Sequence, residues 1–478
     1  MIDVMLILLG VAGVWGIGMA LAYFLFHKIS TSTEKTFEFA ELLGLGIVFG
    51  FGGTAIFYLL WGIIGLSFSL FLAWVWMGVG IAAGAGTLFL LSRNRKQKDN
   101  KPSPSSASDR EFRSLCLGVL FFLAVTTVIQ TLMTPQRFWD ERAIFGLKSI
   151  VIFEDGTILS ESLHDPDFVQ YHPKYPLLIP LNEVHFYLLL GEVNDRWSKV
   201  LFPLLYLGMV LTFLGVLLRS TSQKILAWMF ALMLATVPSM VPWEYGFLSG
   251  QADGPVACFH TVALLYFWSF LRAMNNPISN RSSSKNSLVI AGLSAALAIF
   301  TKDEGIAFFL IELIALGIVT LVYFRSQLSS MAGSIFKFAL TVAIVVAPWF
   351  YHRNQLPATT EMTYFSRMST TTLAGGSAAF FWAIQHLFHR MFLEAWRWGL
   401  QWWVLSFSIL AFPSRARKPS QLFLLLNLLG ALSALILAGI ISPTPVQEHI
   451  GGSSSRFLIQ ISGIAVLFVA GQWISEQD

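Results

Sequence analysis

Long apolar runs follow one another along this chain, and they restrict its fold more than any other feature. Several runs reach the length of 18 or more apolar residues that crosses the hydrocarbon core of a bilayer as a helix. The chain is 55% hydrophobic and only 12% charged, whereas a soluble domain has about 25% charged residues. The alternating polarity that is typical of membrane β-barrels is not visible in the sequence. The sequence therefore predicts an all-α polytopic membrane protein.

The apolar runs predict thirteen transmembrane helices. The aromatic and polar segment 380–396 is more typical of an amphipathic helix at the membrane interface than of a span. The predicted spans are residues 4–26, 43–65, 68–92, 114–133, 199–218, 225–242, 254–272, 287–300, 306–324, 336–351, 397–413, 420–441 and 457–474.

Basic residues indicate how the chain is oriented in the membrane. Segment 93–113 is a basic, polar linker, and we expect it to be cytoplasmic because cytoplasmic loops carry an excess of Lys and Arg. Counting spans from this linker places the basic residues around Arg219, Arg272 and Arg325 on the same side. The same count places these loops on the extracytoplasmic face: 134–198, 243–253, 301–305, 352–396 and 442–456. The expected location is the plasma (inner) membrane.

The linker also divides the chain into an N-terminal three-span membrane module, residues 1–92, and a core, residues 114–478. Cys116 and Cys258 both fall in apolar segments, so a disulfide framework is not expected. The net charge of +4 does not indicate nucleic-acid binding, because the basic residues cluster at helix ends. Four glycines in the module predict close helix packing: Gly46, Gly50, Gly80 and Gly84.

Asp140 and Glu141 open the longest polar interval of the chain, directly after the fourth apolar run. The preceding Phe138 and Trp139 are typical of the membrane interface, so we expect the Asp140 carboxylate at a fixed depth near the mouth of the bundle. A carboxylate held there can accept a proton from an attacking hydroxyl. The alternative interpretation is a solvated acid or the N-cap of a helix over 142–149.

Lys174 lies in a second notable segment of the same loop, between Pro173 and the pair Tyr175-Pro176. Prolines favour extended backbone, so this segment could direct the ammonium group at a phosphate, with Tyr175 as a platform for a sugar. His172 could assist either role. Contact between Lys174 and lipid headgroups is the alternative interpretation.

The later loops contribute smaller polar clusters. Asp253 precedes a predicted span, where it could act as an N-cap. His449 and Arg456 precede the last predicted span. A cation at a helix start is unfavourable unless an anion is nearby, so we expect a ligand phosphate or a lipid headgroup beside Arg456. The break at 301–305 adds three charged residues: Lys302, Asp303 and Glu304.

Several catalytic motifs are missing from the sequence. There is no Gly-x-Ser-x-Gly elbow and no Walker loop, which disfavours a serine hydrolase and an ATP-driven pump. The large loop also lacks the His-x-x-x-His pair of zinc sites. No cofactor is required by these patterns, although Asp140, Glu141 and a phosphate could together hold Mg²⁺ or Mn²⁺.

These short motifs, in this order and on one side of the membrane, resemble the GT-C superfamily of membrane glycosyltransferases. The protein O-mannosyltransferases and the lipid A aminoarabinose transferase are the most similar branch. The likeness covers about residues 114–478. In the family the acidic loop usually follows the first span, whereas in this chain it follows the fourth. The matching segments are Trp139-Asp140-Glu141, His172-Pro173-Lys174-Tyr175-Pro176, Ala252-Asp253-Gly254-Pro255, Thr301-Lys302-Asp303-Glu304-Gly305, Ala347-Pro348-Trp349 and Ser455-Arg456-Phe457.

The resemblance implies a GT-C-like bundle whose extracytoplasmic loop, residues 134–198, is catalytic and contains short amphipathic helices. It implies a hexosyl- or pentosyltransferase with Asp140 as the base and Glu141 beside it. Lys174 and Arg456 would lie near the donor phosphate. The remaining candidate substrate contacts are His172, Tyr175, Asp253, Lys302, Asp303, Glu304 and His449.

The implied substrates follow from the side of the membrane. Nucleotide sugars are confined to the cytoplasm, so an outward-facing transferase needs a donor that the bilayer presents, such as a polyprenyl-phosphate sugar. The acceptor would be a lipid, a glycan or a protein. A transporter or flippase for a lipid-linked saccharide is one alternative, and it would place charges inside its spans. A polysaccharide polymerase or ligase is another, with its large loop late in the chain.

Overall fold

The protein is an all-α, multi-pass membrane protein. The computed structural model describes residues 2–27, 37–96, 107–241, 245–275, 281–357 and 376–474, so the middle of the predicted linker, residues 97–106, lies outside the described residues. Every regular element within these ranges is a helix. Ten of the helices are long and apolar enough to cross a membrane.

The helices are labelled in chain order. Those before residue 240 are α1 (Ile2–His27), α2 (Phe39–Ile63), α3 (Leu70–Lys96), α4 (Ala107–Met133), α5 (Leu147–Asp155), α6 (Glu161–His164), α7 (Leu178–Leu190), α8 (Leu201–Ser220) and α9 (Lys224–Ala235). Those after it are α10 (Asp253–Asn275), α11 (Arg281–Ile299), α12 (Glu304–Tyr323), α13 (Leu328–Arg353), α14 (Ser377–Phe388), α15 (Ala395–Trp398), α16 (Gln401–Ala411), α17 (Pro413–Ala416), α18 (Pro419–Ile441) and α19 (Val446–Trp473).

Ten of the thirteen predicted spans coincide with the long apolar helices. The other three, at 225–242, 287–300 and 397–413, coincide with shorter apolar helices at Lys224–Ala235, Ser287–Ile299 and Gln401–Ala411. A helix of twelve residues is about 18 Å long, whereas the hydrocarbon core is about 30 Å thick. The total of thirteen spans therefore stays a prediction.

The two ends of the bundle carry different charged groups. The Asp140 end holds Asp140, Asp253, Lys302 and Arg456, which are joined by ion pairs. The Arg219 end holds the start of α2, the start of α4 and the connection from α8 to α9, with an ion pair between Arg219 and Glu41.

Helices α1, α2 and α3 approach one another at glycines. A Cβ atom added at Gly80 would lie 2.1 Å from the carbonyl oxygen of Gly13, and one at Gly50 would lie 2.3 Å from the carbonyl oxygen of Val14. Cβ atoms at Gly46 and Gly84 would each meet a neighbour at 2.9 Å. The predicted close packing at these glycines is confirmed.

Helix α2 connects the first three helices to the rest of the protein. Glu41 is fully buried, and its carboxylate accepts hydrogen bonds from Arg219 at 2.9 and 3.0 Å and from the Tyr266 hydroxyl at 2.7 Å. Farther along α2, the carbonyl oxygen of Phe51 accepts a hydrogen bond from the Asn182 side chain at 3.1 Å. Removing one partner of a buried ion pair typically costs about 3–5 kcal/mol. Two sets of contacts along α2 therefore join helices α1–α3 to the core, one at Glu41 and one at Phe51.

The loop 134–198 folds onto the Asp140 end as a series of helices. A π-helix over Asp140–Gly146 leads into α5, and α6 and α7 follow. Helix α7 is buried from Leu178 to Leu189 and packs against α1, α2 and α5. The prediction of short amphipathic helices therefore does not describe α7, which is part of the core.

The last helix, α19, begins at Val446 rather than near residue 457, so the predicted start was wrong. The Gly-Gly-Ser-Ser-Ser segment at 451–455 is helical. Glycine disfavours a helix by only about 1 kcal/mol, and packing of α19 against α10 and α18 outweighs that preference. Arg456 consequently lies about three turns inside the helix and not at its start.

The glycine contacts predict the effect of adding one methyl group to α3. Gly80→Ala should lower the melting temperature of the purified protein, because the added Cβ must push α1 away from α3. Gly86→Ala is the matched control, since a Cβ there meets no heavy atom within 4 Å. Equal melting temperatures for the two variants would contradict the close approach of the helices.

Candidate functional site

Arg456 joins two acidic side chains at the Asp140 end of the bundle. Its Nη2 atom donates a hydrogen bond to Asp140 Oδ2, and its Nε atom donates to Asp253 Oδ2 at 2.8 Å. The Tyr245 ring lies against the guanidinium, with 5.6 Å between its centroid and Arg456 Cζ. Asp253 is fully buried, whereas the side chains of Asp140 and Arg456 remain 24% and 21% exposed. One side of the guanidinium is therefore fixed inside the protein, and the other faces an accessible carboxylate.

Lys302 completes the charge balance around Asp253. Its ammonium donates to Asp253 Oδ1 at 2.9 Å and pairs with Glu304 at 2.7 Å, while the Gln460 amide donates to the same Oδ1 at 2.7 Å. Burial alone would lower the pKa of Lys302, but the carboxylates of Asp253 and Glu304 hold it above its ordinary value. Lys302 is therefore a permanent cation. The Arg456 cluster consists of Arg456, Asp140, Asp253, Lys302, Glu304 and Gln460.

Four separate parts of the chain build the Arg456 cluster. Asp140 is the first residue of the π-helix, whose N-cap is Trp139 without a side-chain hydrogen bond, so the N-cap interpretation of Asp140 was wrong. Asp253 is the first residue of α10, and its carboxylate bonds to side chains of other segments. Lys302 lies in the turn before α12. Arg456 and Gln460 are one turn apart on α19 and therefore share a face.

Glu141 has different surroundings from Asp140, although the two are adjacent. It is buried, and its Oε1 accepts a hydrogen bond from Lys199 Nζ at 2.9 Å. Its Oε2 accepts from the backbone amides of Arg137 and Phe138 at 2.7 and 3.2 Å. Gly250, at a φ of +68°, leaves the room that Glu141 needs, because a Cβ there would lie 2.2 Å from Glu141 Oε1. Glu141 therefore holds the backbone just before Asp140 in place.

Glu183 on α7 is a second buried carboxyl group in this region. It accepts hydrogen bonds from the Ser149 hydroxyl and from the Gln136 amide, the latter at 3.1 Å. Burial raises the pKa of Glu183 to about 8, and the nearby carboxylate of Glu141 acts in the same direction. Glu183 therefore keeps its proton at neutral pH.

Lys174, His172 and Tyr175 do not join the Arg456 cluster. Lys174 is half-buried and, within the described ranges, forms no ion pair or hydrogen bond with the cluster. His172, at a φ of +55°, stacks on Tyr175 with 4.9 Å between ring centroids. The Lys148 ammonium donates to the Tyr175 carbonyl oxygen at 3.3 Å and lies 5.7 Å from its ring centroid. The role of Lys174 at the donor phosphate stays a prediction.

Asp303 and His449 lie next to the cluster. Asp303 forms a bidentate ion pair with Arg353 at 2.8 and 2.9 Å. Burial raises the pKa of Asp303 above its ordinary value, while Arg353 and the nearby Lys148 counteract that effect. His449 is on α19, seven residues before Arg456, and interacts electrostatically with Glu304. Asp303, which lies between Lys302 and Glu304 in the sequence, thus connects the Arg456 cluster to Arg353.

The arrangement offers cations and carboxylates but no evident metal centre. No group of three or more His, Cys, Asp or Glu side chains that could hold a metal ion occurs in the part of the chain that the structure describes. Both oxygens of Glu141 already accept hydrogen bonds, and Asp140 bonds to Arg456. Binding of Mg²⁺ or Mn²⁺ at this pair stays a prediction.

No protein-family model, curated protein or solved structure matches the chain. The Arg456 cluster itself is therefore the basis for a functional assignment. Its chemistry combines an accessible carboxylate with a guanidinium and an ammonium that a second, buried carboxylate holds in place. Such a set can accept a proton on one side and bind a phosphate on the other.

The sequence identified most of the cluster but missed several partners. Asp140, Asp253, Lys302, Glu304 and Arg456 were all candidate residues, and the structure brings them together. Gln460 could have been found from its spacing of four residues after Arg456. Three further residues gave no local signal, because their partners are distant in the sequence: Lys148, Lys199 and Arg353.

The raised pKa of Glu183 predicts a pH-dependent stability. The unfolded chain loses this proton near pH 4.5 and the folded protein near pH 8, so the stabilisation is present at low pH and is lost as the pH rises through 8. The melting temperature of the wild type should fall between pH 5 and pH 9. Glu183→Gln, which has no proton to lose, should show a smaller fall. Parallel pH profiles for the two proteins would contradict the buried, protonated state.

Proposed function

We propose that the protein is a GT-C-type membrane glycosyltransferase that moves a sugar from a polyprenyl-phosphate donor to an acceptor hydroxyl. The contact of Arg456 with both Asp140 and Asp253 carries this proposal. Arg456 and Asp140 were independent candidates for the phosphate-binding cation and the base, and they are in direct contact across 316 positions of sequence. A transferase of this kind needs the phosphate-binding cation and the base close to the bond that joins the sugar to the phosphate of the donor.

The Arg456 guanidinium would bind the donor phosphate. Asp253 holds Nε and thereby fixes the plane of the guanidinium. Nη1 forms no hydrogen bond within the described part of the chain and could donate to a phosphate oxygen. Charge-assisted bonds between Arg and phosphate are strong and directional. Lys302, held by Asp253 and Glu304, would add a second positive charge nearby.

Asp140 would act as the general base. Its Oδ2 accepts a hydrogen bond from Arg456, and its Oδ1 accepts no hydrogen bond from a described residue. A donor phosphate would compete with Asp140 for Nη2 of Arg456. Donor binding would therefore release Asp140 to accept a hydrogen bond from the acceptor hydroxyl.

The reaction would be a single displacement at the anomeric carbon. Asp140 takes the proton of the acceptor hydroxyl while the acceptor oxygen forms a bond to the anomeric carbon. The bond between that carbon and the phosphate oxygen breaks, and polyprenyl phosphate leaves with the electron pair. Arg456 and Lys302 stabilise the charge on the departing phosphate. One displacement inverts the configuration of the sugar.

The same proposal includes the orientation of the protein in the membrane. The positive-inside rule would place the Arg219 end in the cytoplasm and the Asp140 end outside the plasma (inner) membrane. Trp139 is 66% exposed next to Asp140, which suits an anchor at the interface. A lipid-linked donor would then reach the cluster from the outer leaflet.

One observation favours a second candidate, a transporter or flippase for a lipid-linked saccharide. Glu312 and His260 are both buried inside candidate spans, α12 and α10, and their side chains lie 3.2 Å apart. Ionisable residues inside a helical bundle often mark a transport pathway. A transporter would move the donor across a vesicle membrane without cleaving its sugar–phosphate bond, so the chemical product separates the two functions.

Loss of the base should abolish glycosyl transfer without unfolding the protein. Asp140→Asn should lower the rate by about 10²–10⁴-fold, because the amide cannot accept the proton. The assay follows release of polyprenyl phosphate from synthetic polyprenyl-phosphate hexoses and pentoses, and melting temperature checks folding. Glu161→Gln is the control, since Glu161 is an exposed acid of the same loop. Full activity of purified Asp140→Asn would exclude Asp140 as the base.

The orientation can be tested with introduced cysteines in a chain from which Cys116 and Cys258 have been removed. Asp165→Cys should react with a membrane-impermeant thiol reagent added to intact cells, because it belongs to the proposed outer loop. Gln97→Cys should react only after the membrane is permeabilised. The opposite pattern would reverse the orientation.

A further inference from the structure

A groove of about 960 Å³ lies between α2, α4, α8 and α9 at the Arg219 end, opposite the Arg456 cluster. One stripe of α4 forms one wall, with residues spaced three or four apart. Helix α8 forms the facing wall in the same way. The α4 stripe is Arg110, Arg113, Leu117, Leu120, Phe121 and Ala124, and the α8 stripe is Leu207, Leu211, Leu214 and Leu218.

The groove has the length of one membrane leaflet. The α4 wall, from Arg110 to Ala124, measures about 21 Å along the helix, and the α8 wall measures about 17 Å. Half of a hydrocarbon core is about 15 Å thick, and a headgroup adds a few ångströms to the thickness of the leaflet. Beyond the charged residues at the Arg219 end, the walls of α4 and α8 are apolar. A single lipid has this same polarity profile.

The charges at the mouth of the groove favour an anionic headgroup. Arg110 and Arg113 are exposed, and neither forms an ion pair or hydrogen bond within the described ranges. Lys224 also lines the mouth, where its ammonium donates to the Thr221 carbonyl oxygen at 2.9 Å. Two acids, Glu38 and Asp109, line the groove as well, so bases outnumber acids by three to two. The first turn of α9 points its positive dipole end at the same place.

The groove is open to the side, where lipid would surround the protein. Leu117 and Phe121, which line it, are 47% and 71% exposed. A lipid can therefore enter from the bilayer without passing through water. Basic residues next to a membrane span attract anionic headgroups, and each basic residue raises the binding affinity roughly fivefold.

We propose that this groove is a binding site for one anionic phospholipid of the leaflet at the Arg219 end. Its phosphate lies on Arg110 and Arg113, and an acyl chain fills the space between α4 and α8. The site is separate from the proposed transferase reaction and does not depend on it.

Charge removal tests the headgroup contact. The probe is the protein in nanodiscs, titrated with fluorescent phosphatidylglycerol or phosphatidylcholine. Arg110→Gln with Arg113→Gln should weaken phosphatidylglycerol binding about 30-fold and leave phosphatidylcholine binding nearly unchanged. Arg325→Gln with Arg417→Gln is the control, because it removes two exposed charges that do not line the groove. Equal loss in both double variants would overturn the proposal, because the effect would then be one of overall charge.

Filling the groove tests the acyl-chain contact. Ala124→Trp places a large ring between the walls and should weaken binding of both lipids at least tenfold. Val125→Trp is the matched control, because Val125 is exposed and does not line the groove. Unchanged binding in Ala124→Trp would overturn the proposal. A dimer that Ala124→Trp dissociates would also overturn it, because a second copy of the chain would then occupy the groove.

Discussion

The ion pair between Asp253 and Arg456 is the contact on which the site depends. Asp253 is fully buried at the start of α10, and a buried carboxylate is tolerated only when its partners are complete. Arg456, Lys302 and Gln460 supply those partners from two other segments. The pair therefore determines where α10, α19 and the turn before α12 meet. It also leaves one side of the guanidinium facing Asp140.

The same constraint recurs at the opposite end of the bundle. Glu41 on α2 is buried, and Arg219 and Tyr266 satisfy it from α8 and α10. Helix α10 thus takes part in two buried charge networks, through Asp253 at its start and through Tyr266 in its second half. This continuity connects the first three helices to the helices that build the Arg456 cluster. Glycine contacts between α1, α2 and α3 then complete the packing of that region.

Two of the sequence interpretations failed at positions where tertiary contacts outweighed local preference. The segment 451–455 contains glycines and serines that indicate a loop, yet packing against α10 makes it part of α19. A second interpretation made Asp140 the N-cap of a helix over 142–149, but Asp140 lies inside the π-helix. Glu141 turns inward to Lys199, and Asp140 turns toward Arg456. Local sequence cannot distinguish the two, because each direction is set by a partner more than 50 residues away.

The sequence by itself determined the membrane class, the ten long apolar helices, the close packing at glycines and most of the charged residues of the Arg456 cluster. Hydropathy and helical length are local properties, so they can be read from consecutive residues. Tertiary structure alone decided which charges meet, which carboxyl group is buried and which remains accessible. Ion pairs between distant helices depend on how the helices pack, and that packing cannot be predicted from the residues of one segment.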